Sequence, residues 1–181
     1  MIFTPGTLAG AWVLDPERHE DERGSFARTF CRREFEAHGL NPDIAQSSVS
    51  FNRRRGTLRG MHYQAEPFAE AKVVQCGGGA IYDVVLDLRR GAPTYLRWEA
   101  FELSARNGRM LYIPEGVAHG FQTLEDGAVV LYQMSEFHAP EHARGVRWDD
   151  PAFGIEWPIP HPFLSLRDAS YPLWDAAPSG I

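Results

Sequence analysis

Turn residues divide the chain into short segments of strand-forming residues, and this punctuation restricts the fold more than any other feature. Of 181 residues, 17 are glycine and 13 are proline, and they separate runs rich in β-branched and aromatic side chains. The predicted strands are residues 8–14, 25–30, 46–51, 57–64, 72–76, 80–88, 97–103, 110–113, 119–123 and 129–135. One short helix is predicted at residues 32–38, ending before Gly39. Many short strands with a single helix predict an all-β sandwich or barrel.

The segment after residue 140 has a different character. It is rich in proline and contains Trp148, Trp157 and Trp174, which offer large apolar surfaces. We expect an irregular C-terminal wrap around the β-structure rather than further strands. Since no linker or internal repeat interrupts the chain, residues 1–181 are predicted to form a single domain.

Composition and charge exclude several classes of function. Apolar residues make up 44% of the chain and charged residues 23%, as in globular proteins. The net charge of −6 argues against a nucleic-acid partner, and every apolar run is too short to cross a membrane. Cys31 and Cys76 are too few for a disulfide framework or a zinc cluster. Residues 1–20 have no basic segment followed by an apolar one, so no signal peptide is expected and a cytoplasmic location is predicted.

Residues 81–88 alternate in a way that separates the two faces of a strand. Asp83 and Asp87 share one face with Val85, while the other face is apolar. This pattern predicts a strand covered on one side and polar or solvated on the other. Tyr132 similarly shares a face with Val130, which fits either a core tyrosine or a residue directed into a cavity.

Two segments match the motifs of cupins, small β-barrel proteins known for a metal site inside the barrel. Gly108, Pro114, Gly116 and His119 have the spacing of the second cupin motif, including Glu115 between the proline and the glycine. The first motif is only half present. The second match alone favours a cupin-type barrel.

The segment 57–64 reads Thr-Leu-Arg-Gly-Met-His-Tyr-Gln and contains the incomplete motif. His62 fits, but Gln64 stands where the motif has its second histidine, and Glu70 lies near the expected glutamate. Losing an imidazole weakens a site for a first-row metal. We therefore predict no metal and a histidine free for proton chemistry. A metal-dependent cupin oxygenase is the alternative, and it would need more ligands than His62, Glu70 and His119.

Taken together, the motifs identify the chain as a member of a known family. It resembles dTDP-4-dehydrorhamnose 3,5-epimerases over nearly its whole length and in the same order. The matching stretches are residues 21–24, 56–64, 71–72, 113–121, 131–132 and 144–148. The resemblance implies a metal-independent, cupin-type jelly-roll barrel without a cofactor. It also implies a homodimer and a nucleotide-linked 4-keto-6-deoxy sugar as substrate, in rhamnose-type biosynthesis.

The resemblance also assigns roles to individual residues. It implies that His62 is the base that removes the proton beside the ketone, with Asp168 fixing its tautomer. Lys72 would stabilise the enolate and Tyr132 would be the acid on the opposite face of the sugar. The substrate-binding residues it implies are Arg23, Phe26, Gln46, Ser48, Arg59, His119, His138 and Arg167.

The spacing of Arg59 and His62 conflicts with a regular strand. Residues three apart point to opposite faces, so both can face one cavity only if Gly60 hosts a bulge. Otherwise Arg59 must reach a ligand at the rim or in a neighbouring subunit.

Four positions depart from the family pattern, and all lie where the resemblance implies substrate or nucleotide contacts. Arg28 and Ala143 replace glutamates, Ser48 replaces an asparagine, and His138 replaces a tyrosine that stacks on the base. We expect the chemistry to be retained, while the nucleotide, the sugar or the number of inverted centres stays open. The alternatives are an epimerase that inverts only C3 or C5 of another nucleotide-linked sugar, a 3,4-ketoisomerase, and a noncatalytic sugar-binding cupin.

Overall fold

The computed structural model describes residues 1–174, which form thirteen strands and two short helices. In chain order they are β1 (Ile2–Pro5), β2 (Trp12–Asp15), β3 (His19–Asp21), β4 (Gly24–Phe26), α1 (Arg32–Ala37), β5 (Gln46–Asn52), β6 (Leu58–Gln64), β7 (Lys72–Gly78), β8 (Ala80–Asp87), β9 (Trp98–Ser104), β10 (Met110–Ile113), β11 (Val117–Thr123), β12 (Ala128–Met134), β13 (Ala143–Gly145) and α2 (Leu166–Ser170).

Two antiparallel sheets make up the body of the fold. The first has the order β1-β2-β10-β7-β12-β5 and the second the order β13-β6-β11-β8-β9. Among residues 1–174, strands β3 and β4 pair only with each other. The inner faces of the two sheets share one hydrophobic core, to which Val74 and Val130 contribute from the first sheet and Val85 and Phe121 from the second. This all-β, cupin-type arrangement is the predicted fold class.

The second sheet is covered on both faces, which corrects the prediction for residues 81–88. Asp83 and Asp87 are fully buried rather than solvated. On the opposite face, Val84 packs beneath the C-terminal wrap, whose Phe153 and Trp157 belong to the same cluster. Residues 81–88 alternate as predicted, but their polar face lines the barrel interior, where Asp83 and Asp87 have hydrogen-bond partners.

Local predictions were confirmed for the helix and for most of the strands. Helix α1 ends at Ala37, and Gly39 follows with a φ of 69° that suits glycine. Two predicted strands were wrong in extent: residues 8–11 form a turn before β2, and residues 27–30 do not continue β4. The C-terminal wrap is mostly irregular, but it contains β13 and α2, which were not predicted. The prediction of one domain over residues 1–181 extends past the described residues and stays a prediction.

Candidate active site

His62 and Asp168 form a dyad between the barrel and the C-terminal wrap. The Nε2 atom of His62 on β6 lies 2.6 Å from Oδ1 of Asp168 on α2. Ser165 caps this helix by accepting a hydrogen bond from the Asp168 amide at 3.0 Å. The Asp168 side chain is buried, whereas 40% of the His62 side chain is exposed. The predicted pair is therefore assembled across 106 residues of sequence, with one face of the imidazole open.

The electrostatics of the dyad favour a carboxylate paired with imidazole. Burial would raise the pKa of Asp168, but the hydrogen bond and charge of His62, with smaller contributions from Ser165 and the Gly60 amide, lower it below its usual value. Asp168 is thus ionised at neutral pH and can stabilise an imidazolium. Within residues 1–174 His62 makes no hydrogen bond through Nδ1, so that nitrogen is the one able to accept a proton from a ligand.

A β-bulge resolves the conflict between Arg59 and His62. Opposite β11, His62 pairs with His119 and Arg59 pairs with Phe121, so the register shifts between these two pairs. The extra residue turns Arg59 and His62 to the same, inner face. A Cβ at Gly60 would lie 2.5 Å from Cα of Gly120, and φ is 133°, so the bulge requires glycine. Of the two arrangements that the sequence left open, the one with a bulge at Gly60 is observed.

A second histidine–carboxylate pair lies inside the barrel. His119 Nε2 is 2.8 Å from Asp83 Oδ2, and both side chains are buried. Burial raises the pKa of Asp83, although His119 acts in the opposite direction. Asp83 Oδ1 has no partner among residues 1–174. Asp83 was missed as a site residue because alternation identified its face but not the strand that carries its partner. The available signal was a strand face on which Asp83 and Asp87 alternate with apolar residues.

Tyr132 reaches the same interior from the opposite sheet. Its ring centroid lies 6.1 Å from that of His119, nearly perpendicular to it. Burial and the negative charge of Asp83 raise the pKa of the Tyr132 phenol far above its usual value, against a smaller lowering by Arg59. The phenol therefore stays protonated and can act as an acid. Its position next to Val130 in the core also confirms that these two residues share a face.

Lys72 lies on the inner side of β7 and carries its own counter-ion. Its Nζ is 2.7 Å from Oε1 of Glu70, and only 11% of the lysine side chain is exposed. Lys72 has the same strand parity as Val74, which belongs to the barrel core. A nearly buried ammonium on this face is suited to an anionic oxygen.

The mouth of the barrel is lined from strand β5 and from the loop after β12. Ser48 pairs directly with Tyr132, and Gln46 lies two residues further along the strand on the same side. Oε1 of Gln46 accepts a hydrogen bond of 2.6 Å from the backbone amide of exposed His138. Arg59 donates a hydrogen bond of 2.8 Å from Nε to Asn52 Oδ1. Gln46, Ser48 and His138 therefore lie towards the start of β5, whereas Arg59 contacts Asn52 at the end of the same strand.

Three further predicted residues lie outside this cavity or at its edge. Arg23 and Phe26 belong to the β3–β4 hairpin, where the Arg23 side chain is 90% exposed and pairs with Asp21, and Phe26 is 76% exposed. Within one chain, they do not join the dyad. Arg167 precedes Asp168 on α2 and is exposed, with Nε 2.9 Å from the Tyr171 hydroxyl.

Residues 1–174 contain neither a metal-binding cluster nor a membrane-spanning helix. No three histidine, cysteine, aspartate or glutamate side chains of this part of the chain converge as a metal site would require. None of its helices combines the length and the apolar character needed to span a membrane.

The sequence of this chain matches a known protein family. The family model for dTDP-4-dehydrorhamnose 3,5-epimerase matches residues 5–176. The chain belongs to the dTDP-4-dehydrorhamnose 3,5-epimerase family. As a member of this family it is an isomerase, as the resemblance implied. An enzyme of that name from Sinorhizobium fredii is 40% identical over 95% of this chain and 89% of its own length.

Solved structures of similar proteins superimpose closely on this chain. A dTDP-4-dehydrorhamnose 3,5-epimerase from Bacillus anthracis, with TDP and PPi bound, has a TM-score of 0.93 and 38% identity, covering 96% of this chain and 99% of its own. A 3'-monoepimerase from Streptomyces bikiniensis, in complex with dTDP-quinovose, has a TM-score of 0.87 and 37% identity, covering 93% and 86%. The similar structures therefore include one that is named for a single inverted centre.

Proposed function

We propose that this epimerase inverts C3 and C5 of dTDP-4-keto-6-deoxyglucose by proton abstraction and return. The observation that carries the proposal is the His62–Asp168 dyad, with 2.6 Å between Nε2 and Oδ1. His62 pairs with His119 on the inner face of the second sheet, and His119 packs against Tyr132 from the first sheet. A base with a carboxylate partner and a buried phenol on the opposite sheet are the two groups that inversion beside a ketone needs.

The chemistry follows from the charge of each group. The C–H bond beside the ketone breaks as His62 takes its proton, and the electron pair forms an enolate whose oxygen becomes negative. Asp168 stabilises the resulting imidazolium, and the ammonium of Lys72 stabilises the enolate oxygen. Tyr132, protonated because burial raises its pKa, then donates a proton to the other face of the same carbon.

A single-centre reaction is the second candidate. It is favoured by the similarity to a 3'-monoepimerase and by the changed residues at the nucleotide end. Arg28, which replaces a family glutamate, forms an ion pair of 2.6 Å with Glu34, so its charge is balanced inside the chain. Its pKa is raised, chiefly by the hydrogen bond to Glu34.

Deuterium incorporation from D2O distinguishes these candidates. Proton NMR with dTDP-, UDP-, CDP- and GDP-linked 4-keto-6-deoxyglucose reports which nucleotide is accepted and whether C3, C5 or both exchange. Exchange at both carbons, fastest with the dTDP sugar, supports the proposal. Exchange at one carbon selects the second candidate, and a wild-type chain without exchange on any of the four contradicts both.

We further propose that the active protein is a homodimer in which the β3–β4 hairpin completes the partner's site. Arg23 and Phe26 protrude from the barrel, although the resemblance assigns them to substrate binding. Strand β5 ends its sheet and exposes Val49 and Phe51 on the outer face, at 65% and 60%. An unpaired edge with exposed apolar side chains favours association with a second copy.

Mixing two inactive variants tests this arrangement. In a heterodimer of Arg23→Ala and His62→Ala chains, one of the two sites has both native residues if the hairpin serves the partner. Random exchange should restore about a quarter of the wild-type activity. No restoration, or a monomer by light scattering, contradicts the proposal. The cytoplasmic location stays a prediction.

A further inference from the structure

Gln64 occupies the position of the second motif histidine, and its side chain is engaged by the backbone rather than by a ligand. It is 3% exposed. Nε2 donates to the carbonyl oxygens of Phe68 at 2.6 Å and Phe137 at 3.0 Å, and Oε1 accepts from the Ala139 amide at 2.8 Å. Both amide protons and the oxygen of the carboxamide are therefore used. The residue joins β6 to the loop that follows β12.

Two of the three hydrogen bonds of Gln64 hold the peptide groups that flank His138. The peptide between Phe137 and His138 is held at its carbonyl by Gln64 and at its amide by Gln46, at 2.6 Å. The next peptide is held at the Ala139 amide by Gln64. With both neighbouring peptide groups fixed, the direction of the His138 Cα–Cβ bond is fixed too. The His138 side chain itself stays exposed and free to contact a ligand.

We propose that Gln64 is a positioning residue for nucleotide recognition, acting through His138. This inference rests on the proposed function and on the resemblance, which places His138 where the family has a tyrosine that stacks on the nucleobase. Preorganising an aromatic side chain lowers the entropy cost of binding, so releasing the loop should weaken nucleotide affinity without changing the reacting groups. Gln64 lies two residues from His62 on the same strand face, so one strand carries the base and holds the loop for the nucleotide.

Replacing Gln64 by leucine keeps the approximate side-chain volume and removes all three hydrogen bonds. We expect the dissociation constant of dTDP, measured by calorimetry, and the KM of the dTDP sugar to rise about tenfold, the scale of one lost stacking contact. The kcat should stay within about threefold, because no group of the dyad is altered. If Gln64→Leu does not fold, Gln64→Asn tests the same point, since it keeps the amide but is one methylene too short to reach both segments.

Gln122 offers a matched control. It is fully buried and also clamps a backbone segment, donating to the Ile159 carbonyl at 2.8 Å and accepting from the Ile159 amide at 2.9 Å. Gln122→Leu should lower thermal stability to a similar degree without weakening dTDP binding. A double-mutant cycle adds a readout specific for His138: in a His138→Ala background, Gln64→Leu should cause no further loss of affinity.

The outcomes separate this inference from the proposed function. Unchanged dTDP affinity in Gln64→Leu, a loss equal to that of Gln122→Leu, or the same loss in the His138→Ala background overturns the positioning role while leaving epimerisation intact. A wild-type chain that exchanges no deuterium contradicts the proposed function, yet dTDP binding still tests Gln64. A wild-type chain that binds no dTDP overturns the inference.

Discussion

Replacing Asp168 by asparagine removes the charge of the dyad while keeping the size of the side chain. The hydrogen bond between Asp168 and His62 is 2.6 Å long. The Asp168 carboxylate is buried, but 40% of the His62 side chain is exposed. A hydrogen bond to a charged group is worth about 1.5–3 kcal/mol, and the exposure of His62 favours about 2 kcal/mol. If the transition state loses this stabilisation, kcat/KM falls by about 30-fold.

The tautomer adds to this loss. An asparagine amide can donate to Nε2, which forces the remaining imidazole proton onto Nδ1, the nitrogen that must accept the substrate proton. We therefore expect a decrease of at least about 30-fold in the rate of deuterium incorporation by Asp168→Asn. The Ser165 cap is kept because it binds the backbone amide, so the free energy of unfolding should change by less than about 1 kcal/mol.

Asp150→Asn provides the control for the wrap. Asp150 is buried in the same C-terminal segment, where it accepts hydrogen bonds from the amides of Ala152 and Trp174. Its substitution should lower stability without a comparable loss of kcat/KM. If Asp168→Asn retains activity within about threefold of wild type, the role of Asp168 is refuted.

Four other predictions concern the acid, the bulge, the pH dependence and metals. Tyr132→Phe should lower kcat by about 10²–10⁴-fold, measured by product formation. Gly60→Ala should cost about 3 kcal/mol or more in chemical unfolding, because its Cβ meets Gly120. Burial would raise the pKa of Asp87, but hydrogen bonds from Arg89 and Thr94 lower it on balance. The Asp87 carboxylate therefore stabilises the folded protein above pH about 4, and this contribution is lost as the pH falls through the folded pKa. Asp87→Asn should accordingly reduce acid sensitivity in pH-dependent melts. Dialysis against EDTA should leave turnover unchanged. A loss of turnover that added metal restores would revive the alternative of a metal-dependent oxygenase.

The sequence was most informative where a short motif carries the chemistry. The spacing of His62 and Arg59 narrowed the possibilities to a bulge at Gly60 or a contact of Arg59 outside the cavity, because strand parity permits few alternatives, and the structure has the bulge. Tyr132 and Lys72 were found through family spacing and lie on the inner face, although their catalytic roles stay proposals. The pair of Asp83 with His119 was not found, since a residue's partner on the neighbouring strand depends on strand order, which alternation does not encode.

Short and context-dependent elements were the other source of error. Strands β1, β3 and β13 have three or four residues each, too few for a periodic pattern to stand out. The position of the hairpin that carries Arg23 follows from packing rather than from local sequence. Gln64 was interpreted only as the loss of a metal ligand, because its three backbone partners lie 4, 73 and 75 residues away.

The central claim is that His62 removes the proton beside the ketone. Proton NMR in D2O with dTDP-4-keto-6-deoxyglucose measures this step directly, comparing wild type with His62→Ala after both are shown to bind dTDP. The account predicts deuterium at C3 and C5 with the wild type and at neither carbon with the variant. Deuterium incorporation by His62→Ala at the wild-type rate would contradict it.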